Sequence, residues 1–220
     1  MNQRLFAIGD IHGCFNAFRT LVEQKIQIKK SDKIILLGDY IDRGTHSKEV
    51  IDYIFGLKNN GFDIIPLMGN HEAMLLEARN NNGHLLRWIQ NGGSETLKSF
   101  GISSLKGIES KYLDFFQGLS YYFAFEEYLF VHAGFNDEVN DPFEDRYHMI
   151  WKCREKYKHP SLQDKTIVHG HCPISELLCK ERLRSNNQVI NIDTGCVYGE
   201  ISGYGKLTAL ELRSKVIFTI

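Results

Sequence analysis

The sequence lacks a strong charge of either sign, and it also lacks a long apolar run. Its 26 Lys and Arg residues nearly balance 27 Asp and Glu residues, so the formal net charge is -1 at pH 7. Such a balance gives no electrostatic footprint for nucleic acid or for an anionic membrane surface. No apolar run approaches the ~20 residues that a membrane-spanning helix needs. We therefore expect no nucleic-acid partner and no membrane partner.

A regular cysteine pattern is also missing. The chain has five cysteines, an odd number without even spacing, whereas a secreted disulfide framework depends on paired cysteines. We find no signal peptide, so the expected compartment is a reducing cytoplasm in which thiols stay free. All of the cysteines are therefore expected to be buried or inert thiols, namely Cys14, Cys153, Cys172, Cys179 and Cys196.

What the sequence does contain indicates one α/β domain over residues 1–220. Hydrophobic residues make up 43% of the 220 residues and charged residues 24%, which is typical of a globular domain with a substantial core. The first third alternates apolar runs with helically spaced segments. This alternation predicts a βαβαβ unit with parallel strands, with strands at 4–9, 33–38 and 62–68 and helices at 14–27 and 47–57.

The rest of the chain is predicted to change from helix to strand. Residues 70–116 have mostly helical spacing, and we expect the helical segment 73–118 to lie beside the active site. Residues 135–164 are polar and are predicted to be irregular. Strands are predicted at 121–125, 128–131, 165–169, 176–183, 188–193, 206–212 and 215–220. Because so many strands cannot comfortably extend one sheet, we expect a second sheet packed on the first.

Five of the strand-like runs end in Asp, Asn or His beside a glycine. The motifs at these ends are GDIHG at 9–13, GDYIDRG at 38–44, GNHE at 69–72, VHAG at 131–134 and HGHCP at 169–173. Open α/β sheets bind ligands beyond the carboxyl ends of their strands. Core packing does not require metal-type ligands at five strand ends, so we interpret the motifs as parts of one site.

The polar residues of these motifs form a donor set suited to two metal ions. Oxygen and nitrogen ligands without a thiolate favour Mn, Fe or Zn over an iron–sulfur cluster or a structural zinc. Six ligands exceed the needs of one tetrahedral ion but suit two ions that share a bridging carboxylate. The candidate ligands are Asp10, His12, Asp39, Asn70, His132 and His171.

Three further residues of the same loops suit phosphoryl chemistry. Two metal ions ~3.5–4 Å apart activate water and clamp the oxygens of an in-line displacement, most often at phosphorus. The guanidinium of Arg43 matches the geometry of a phosphate. His71 can donate a proton to the departing oxygen, and Asp42 is placed to keep that imidazole charged and oriented.

At these residues the sequence resembles the metallophosphoesterase superfamily, whose five motif blocks occur here in order between about residues 4 and 198. The complete GDxxDRG block together with GNHE resembles the bacterial and phage type of protein serine/threonine phosphatase in the PPP family. The resemblance implies a calcineurin-like fold, in which two packed mixed β-sheets are flanked by helices. It also implies a dinuclear centre that holds Mn²⁺, with Fe and Zn as alternatives.

Roles for individual residues follow from the resemblance. Its first metal would be bound by Asp10, His12 and Asp39, and its second by Asp39, Asn70, His132 and His171, so that Asp39 bridges the two.

The resemblance further implies that His71 is the general acid, Asp42 its partner and Arg43 a phosphate clamp. Relatives carry a second phosphate-binding arginine shortly after a tryptophan. Arg154 is the candidate here, although it follows Trp151 one residue later than expected.

The expected activity is that of a metal-dependent phosphomonoesterase, most simply a protein serine/threonine phosphatase. The resemblance implies direct attack of a metal-bridging hydroxide on a phosphorylated protein or peptide, with small phosphate esters accepted in vitro. One alternative is a symmetrical dinucleoside tetraphosphate hydrolase of the same superfamily, which shares the GDxHG, GNH and VHAG blocks. The other is a non-catalytic interaction module that keeps the fold.

Overall fold

The computed structural model describes residues 3–185, 187–199 and 201–220. Its strands are β1 (Leu5–Ile8), β2 (Lys33–Leu36), β3 (Asp63–Pro66), β4 (Tyr122–Phe125), β5 (Tyr128–Val131), β6 (Thr166–His169), β7 (Val189–Asn191), β8 (Thr208–Glu211) and β9 (Val216–Thr219). Its α-helices are α1 (Phe15–Thr20), α2 (Ser47–Asn59), α3 (Asn70–Ala78), α4 (Asn82–Trp88), α5 (Ser94–Ser99), α6 (Ser110–Gln117), α7 (Arg146–Trp151) and α8 (Glu176–Arg184). Two π-helical turns, Leu21–Lys25 and Ile89–Gly93, continue α1 and α4, and a 3₁₀ turn spans Leu105–Gly107.

The first sheet contains the predicted βαβαβ unit. Its strand order is β3-β2-β1-β8-β9. Strands β1, β2 and β3 are parallel, with Leu5 opposite Lys33 and Lys33 opposite Asp63. Strands β8 and β9 extend the sheet in the antiparallel sense. The parallel core is therefore confirmed, and the strands predicted at 206–212 and 215–220 complete this sheet.

The second sheet packs on the first, as predicted. Its order is β4-β5-β6-β7, with β4 antiparallel to β5 and the other pairs parallel. Successive side chains of a strand point to opposite faces. Leu5 and Ala7 of β1 therefore pack in one core with Phe130 of the second sheet, while Phe6 and Ile8 pack in the other core with the helices. The chain thus has the expected fold of two mixed sheets flanked by helices.

The topology places each of the five motifs at the carboxyl end of a strand. Each motif follows the carboxyl end of β1, β2, β3, β5 or β6. Because parallel strands end at the same edge of a sheet, each sheet contributes its motif loops on one side. Helices α3 to α6 fill the segment predicted to be helical, 73–118, and they begin directly from the GNHE motif.

Two predictions of secondary structure were wrong. Residues 176–183 form helix α8 and not a strand. The Ser175 side chain caps this helix by accepting a hydrogen bond from Leu178 N at 3.2 Å, and the buried Cys179 and Leu183 lie four residues apart on one helical face. The apolar residues thus follow the helical period. Residues 135–164, predicted to be irregular, contain helix α7.

The expectation of free, inert thiols was also wrong for one pair. A disulfide joins Cys153 to Cys172, whose Cα atoms lie 6.7 Å apart, within the span of such bonds. The fold creates this pair by placing the loop after α7 against the loop after β6. Cys14, Cys179 and Cys196 are free. None of the described helices is long and apolar enough to cross a membrane.

Candidate metal centre

Asp39 stands at the centre of the converging loops. Its Oδ2 atom lies 3.4 Å from His12 Nε2, 3.5 Å from His132 Nε2 and 3.9 Å from His71 Nε2. Potential donor atoms fall into two groups that share this carboxylate, one with His12 and His71 and one with His132 and His171. The structure therefore brings together, around one buried carboxylate, histidines that lie up to 159 residues apart in sequence.

The second group has the donor chemistry of a metal site. Asn70 Oδ1 lies 2.9 Å from both His132 Nε2 and His171 Nδ1. His132 Nδ1 lies 2.8 Å from the Leu37 carbonyl oxygen, so this nitrogen carries the proton and Nε2 presents a lone pair. An amide oxygen and an imidazole lone pair that face each other are both electron-pair donors suited to a cation. These residues therefore fit a metal ion, with the histidine tautomer fixed by a backbone carbonyl.

In the first group, a backbone carbonyl also fixes the tautomer of the histidine. His12 Nδ1 lies 2.9 Å from the Ile41 carbonyl oxygen, so its Nε2 presents a lone pair, which accepts a hydrogen bond from Arg43 Nη1 at 2.7 Å. Both carboxylate oxygens of Asp10 accept the backbone N–H of His171, at 3.1 and 3.2 Å. Asp10 is thereby tied to the loop of the second group, although neither donor group around Asp39 includes it.

Burial and charge set the protonation of these groups. Burial, with Asp193 and Asp39 nearby, raises the pKa of Asp10 well above its usual value. For Asp39, burial alone would raise the pKa, but the surrounding histidines hold it below the usual range. Burial lowers the pKa of His171 to about 4 and lowers that of His12 strongly. The imidazoles of His12 and His171 are therefore neutral at neutral pH, as metal ligation requires.

The backbone of the site loops is strained. Five site residues have positive φ angles, a region that L-amino acids other than glycine rarely occupy: His12 at 45°, Asp39 at 52°, Asp42 at 70°, Arg43 at 68° and His171 at 66°. Such conformations cost about 1–3 kcal/mol each and cluster at functional sites. All five strained residues lie in the GDIHG, GDYIDRG and HGHCP motif loops.

His71 and Asp42 form a buried pair beside Asp39. Both side chains are fully buried, and His71 Nδ1 lies 2.7 Å from Asp42 Oδ2. His71 Nε2 has no hydrogen-bond partner among the described atoms. Burial raises the pKa of Asp42, against the hydrogen bonds that it accepts from His71, Thr96 and Trp88. The Asp42 carboxylate thus orients an imidazole whose other nitrogen is free to act.

Sequence reasoning missed the residues that hold this pair in place. Trp88 Nε1 donates to Asp42 Oδ2 at 2.8 Å, and Thr96 Oγ1 donates to Asp42 Oδ1 at 2.6 Å. The buried Glu72 accepts hydrogen bonds from the backbone N–H groups of Asp39, Tyr40 and Gly69. Glu72 lies inside the GNHE motif, so its place in the sequence could have indicated a role at the site. No sequence motif around Trp88 or Thr96 indicates such a role.

Arg154, the predicted second phosphate clamp, forms an ion pair with Glu138, and its role at the site stays a prediction. Its Nη2 atom donates to Glu138 Oε1 at 2.7 Å, and a third of its side chain is exposed. The other predicted clamp, Arg43, lies in the cluster next to His12.

Comparison with known proteins extends over almost the whole chain. A family model described as calcineurin-like phosphoesterase matches residues 3–199. The asymmetrical bis(5'-nucleosyl)-tetraphosphatase PrpE of Anoxybacillus flavithermus is 26% identical, over 92% of this chain and 88% of that protein. A symmetrical bis(5'-nucleosyl)-tetraphosphatase of Aromatoleum aromaticum is 40% identical over 73 residues, which are 33% of this chain and 26% of that protein.

A solved structure shows the same fold. The protein serine/threonine phosphatase of Saccharomyces cerevisiae superposes with a TM-score of 0.67 at 14% identity, over 99% of this chain and 79% of that one. Members of the matched family are metal-dependent hydrolases with a dinuclear centre, and the donor groups around Asp39 suit such a centre. Because the family model covers residues 3–199, this chain belongs to the calcineurin-like phosphoesterases and is a metal-dependent phosphoesterase.

Proposed function

We propose that the chain is a phosphomonoesterase that acts on phosphoserine and phosphothreonine in proteins. The observation that carries this proposal is the His71–Asp42 pair, in which Asp42 Oδ2 accepts a hydrogen bond from His71 Nδ1 at 2.7 Å. The free Nε2 atom lies 3.9 Å from Asp39 Oδ2, the carboxylate shared by both donor groups. A proton donor in that position stands next to the reaction centre.

A general acid matters most for a poor leaving group. The alkoxide of serine or threonine has a pKa far above neutrality, so it must be protonated as it departs. A nucleotide leaving from a polyphosphate is stable near neutral pH and needs less help. A buried, carboxylate-oriented His71 therefore supports an alkyl phosphate substrate better than a phosphoanhydride.

The remaining roles are assigned with the same proposal. When bound, two metal ions, in our proposal Mn²⁺, supply Lewis-acid chemistry and an activated water. We assign the first ion to Asp10, His12 and Asp39, and the second to Asp39, Asn70, His132 and His171.

Arg43 is proposed to bind the phosphoryl oxygens, and its contact with His12 Nε2 supports this, because it places the guanidinium at the edge of the donor cluster. In this proposal the guanidinium exchanges its hydrogen bond to that nitrogen for bonds to phosphate.

A second candidate is a dinucleoside tetraphosphate hydrolase. It is favoured by the names of relatives that align along most of this chain, of which the Anoxybacillus flavithermus protein is one. Those relatives are named as asymmetrical enzymes, whereas the sequence had suggested the symmetrical type. A non-catalytic module is disfavoured, because no ligand and no part of the acid pair is missing.

The decisive experiment uses His71→Asn and two phosphomonoesters at equal metal content. We expect turnover of a phosphoserine peptide to fall by ~10²–10⁴-fold, the usual contribution of a general acid. Turnover of p-nitrophenyl phosphate should fall much less, because p-nitrophenolate leaves without protonation. Equal losses on both substrates would mean that His71 binds phosphate or shapes the site and does not deliver a proton.

The wild-type enzyme loaded with Mn²⁺ separates the two candidate substrates. The proposal predicts a higher kcat/KM for phosphopeptides than for diadenosine tetraphosphate. The reverse order would favour the second candidate, and product analysis by chromatography would then distinguish symmetrical from asymmetrical cleavage.

A further inference from the structure

A disulfide joins the loop that contains His171 to the segment that follows helix α7. Cys172 comes directly after His171 in the sequence, and Cys153 comes two residues after Trp151, the last residue of α7. The Trp151 ring meets the His171 ring edge-on, with ring centres 6.0 Å apart. The disulfide therefore ties the loop of a candidate metal ligand to the helix that packs against that ligand.

The ring of His171 is not fixed by a backbone carbonyl, unlike the rings of the other two candidate histidine ligands. Backbone carbonyls lie within hydrogen-bond distance of Nδ1 of His12 and of Nδ1 of His132. In His171 the Nδ1 atom faces Asn70 Oδ1, and no hydrogen bond to its Nε2 atom is found in the described part of the chain. The position of this ring therefore depends on the backbone of its loop and on Trp151.

The surroundings of the disulfide suit a reduced pair as well as an oxidised one. Cys153 Sγ lies 3.8 Å from His169 Nδ1 and 3.9 Å from the Gly170 carbonyl oxygen, so a thiol at this position has an acceptor within reach. Cys153 and Cys172 are both half-buried, whereas the free Cys179 is buried. Because thiol–disulfide exchange requires that a thiolate reach one of the two sulfur atoms, partial exposure makes this bond accessible in the folded protein.

We propose that the Cys153–Cys172 disulfide is a reversible redox switch for the second metal site. In the oxidised state the bond holds the His171 loop against α7, so that His171 Nδ1 stays beside Asn70 Oδ1. Reduction releases the loop and lowers the affinity of this site for a metal ion. The inference rests on the proposed assignment of the second ion to these residues and not on the proposed protein substrate.

The reductant of this switch is a dithiol. One of its thiolates attacks a sulfur of the disulfide, the S–S bond breaks, and the other cysteine leaves as a thiolate that takes up a proton. The second thiol of the dithiol then loses its proton and displaces the remaining cysteine, which is protonated in turn. The dithiol is oxidised to a disulfide, and its two electrons and two protons reside on Cys153 and Cys172. An added small disulfide reverses both exchanges.

The test compares oxidised and reduced wild-type protein by titration calorimetry with Mn²⁺. Dithiothreitol serves as the dithiol and is removed under an inert gas before the titration. A thiol count after unfolding should give three in air-equilibrated protein and five after reduction. We expect reduction to raise the Kd of one ion by ~10–100-fold, the usual effect of losing an outer partner of a metal ligand. The other ion should bind as before.

Cys153→Ser and Cys14→Ser form a matched pair of variants. Cys153→Ser cannot form the disulfide, so it should bind Mn²⁺ as the reduced wild type does and should not respond to dithiothreitol. Cys14 is a free, half-buried cysteine at the N-cap of α1, a position that serine favours. Cys14→Ser should therefore fold normally and respond to dithiothreitol as the wild type does.

Equal Mn²⁺ affinities in the oxidised and reduced proteins would overturn the switch, as would a response to dithiothreitol that persists in Cys153→Ser. Five free thiols in air-equilibrated protein would also overturn it. Failure to bind two ions in either redox state would overturn the metal assignment and this inference together. If the Mn²⁺ affinity follows the redox state but phosphopeptides are not hydrolysed, only the proposed protein substrate is wrong.

Discussion

At the residue scale, one carboxylate organises the centre. Asp39 is buried and contacts donor atoms of His12, His71 and His132 within 4 Å. A carboxylate that faces both donor groups can neutralise two cations, whereas each histidine faces one. Removal of the charge at Asp39 should therefore affect both metal sites, and removal of one imidazole should affect one.

We expect Asp39→Asn to lose affinity for both metal ions, because the amide keeps the shape of the side chain but not its charge. His12→Ala should weaken the first ion and leave the second bound. Isothermal titration with Mn²⁺, checked by elemental analysis, measures the two affinities. Two tight sites in Asp39→Asn would contradict the shared position of this carboxylate.

At the element scale, helices α4 and α5 hold the acid pair through hydrogen bonds that are remote in sequence. Trp88 of α4 and Thr96 of α5 each donate to Asp42. A hydrogen bond to a buried charged group contributes ~1.5–3 kcal/mol. These helices thus fix the position of Asp42, and through it the orientation of His71.

Trp88→Phe should keep most of the packing but remove the donor to Asp42. We expect a selective loss of phosphoserine-peptide turnover, in the direction of His71→Asn and smaller than it, together with ~1–3 kcal/mol lower stability. Steady-state kinetics on the peptide and on p-nitrophenyl phosphate, with urea unfolding, separate the two effects. Equal losses on both substrates would indicate general misfolding of the site.

The β8–β9 hairpin contains a pH-sensitive contact far from the metal centre. Burial alone would raise the pKa of Glu211, but hydrogen bonds from Ser214 and from the Leu5 backbone hold it below the usual value. In the unfolded chain this carboxyl binds a proton more readily. Its contribution to stability is therefore complete above the unfolded pKa of ~4.3 and is lost as pH falls through the lower, folded pKa.

Glu211→Gln should therefore lower the free energy of unfolding by ~1–2 kcal/mol at pH 7. The difference from the wild type should shrink as pH falls below ~4, where the native carboxyl is protonated as well. Urea titrations of metal-free protein between pH 3 and 7 provide the measurement. A difference that stays constant over this range would mean that the Glu211 side chain contributes packing and no charge effect.

At the scale of the whole molecule, the centre joins the two sheets. Asp39 follows β2 of the first sheet, whereas His132 and His171 follow β5 and β6 of the second. Metal ions held between these loops would crosslink the layers. An ion that binds only the folded state stabilises it by mass action, by ~2.7 kcal/mol when its concentration is 100 times Kd.

We expect Mn²⁺ to raise the melting temperature and a chelator to lower it, with hydrolysis of p-nitrophenyl phosphate lost and regained in parallel. Calorimetry and activity assays on the same samples test this coupling. Full activity in protein shown to be metal-free by elemental analysis would contradict a metal-dependent centre.

The sequence by itself determined the parallel core and the chemistry of the candidate centre. Short apolar runs such as Leu5–Ile8 can bury both faces only inside a sheet, and the polar residues that follow them can meet only at the sheet edge. Asp39, His132 and His171 were identified in this way, because residue type and strand-end position are local properties. In short segments, the alternating apolar pattern of a strand is hard to distinguish from the apolar spacing of a helix. For this reason residues 176–183 were predicted to be a strand, although they form helix α8.

Tertiary structure alone decided which distant side chains serve the centre. Trp88 and Thr96 reach Asp42 from 46 and 54 residues away, and the disulfide between Cys153 and Cys172 links two loops that no spacing rule connects. The ion pair between Arg154 and Glu138 likewise joins two residues that no motif connects. Each motif contains the residue types that can bind a metal ion, so these types can be identified from the sequence. Contacts between motifs depend on how α4, α7 and the strand-end loops pack, and this packing exists only in the folded chain.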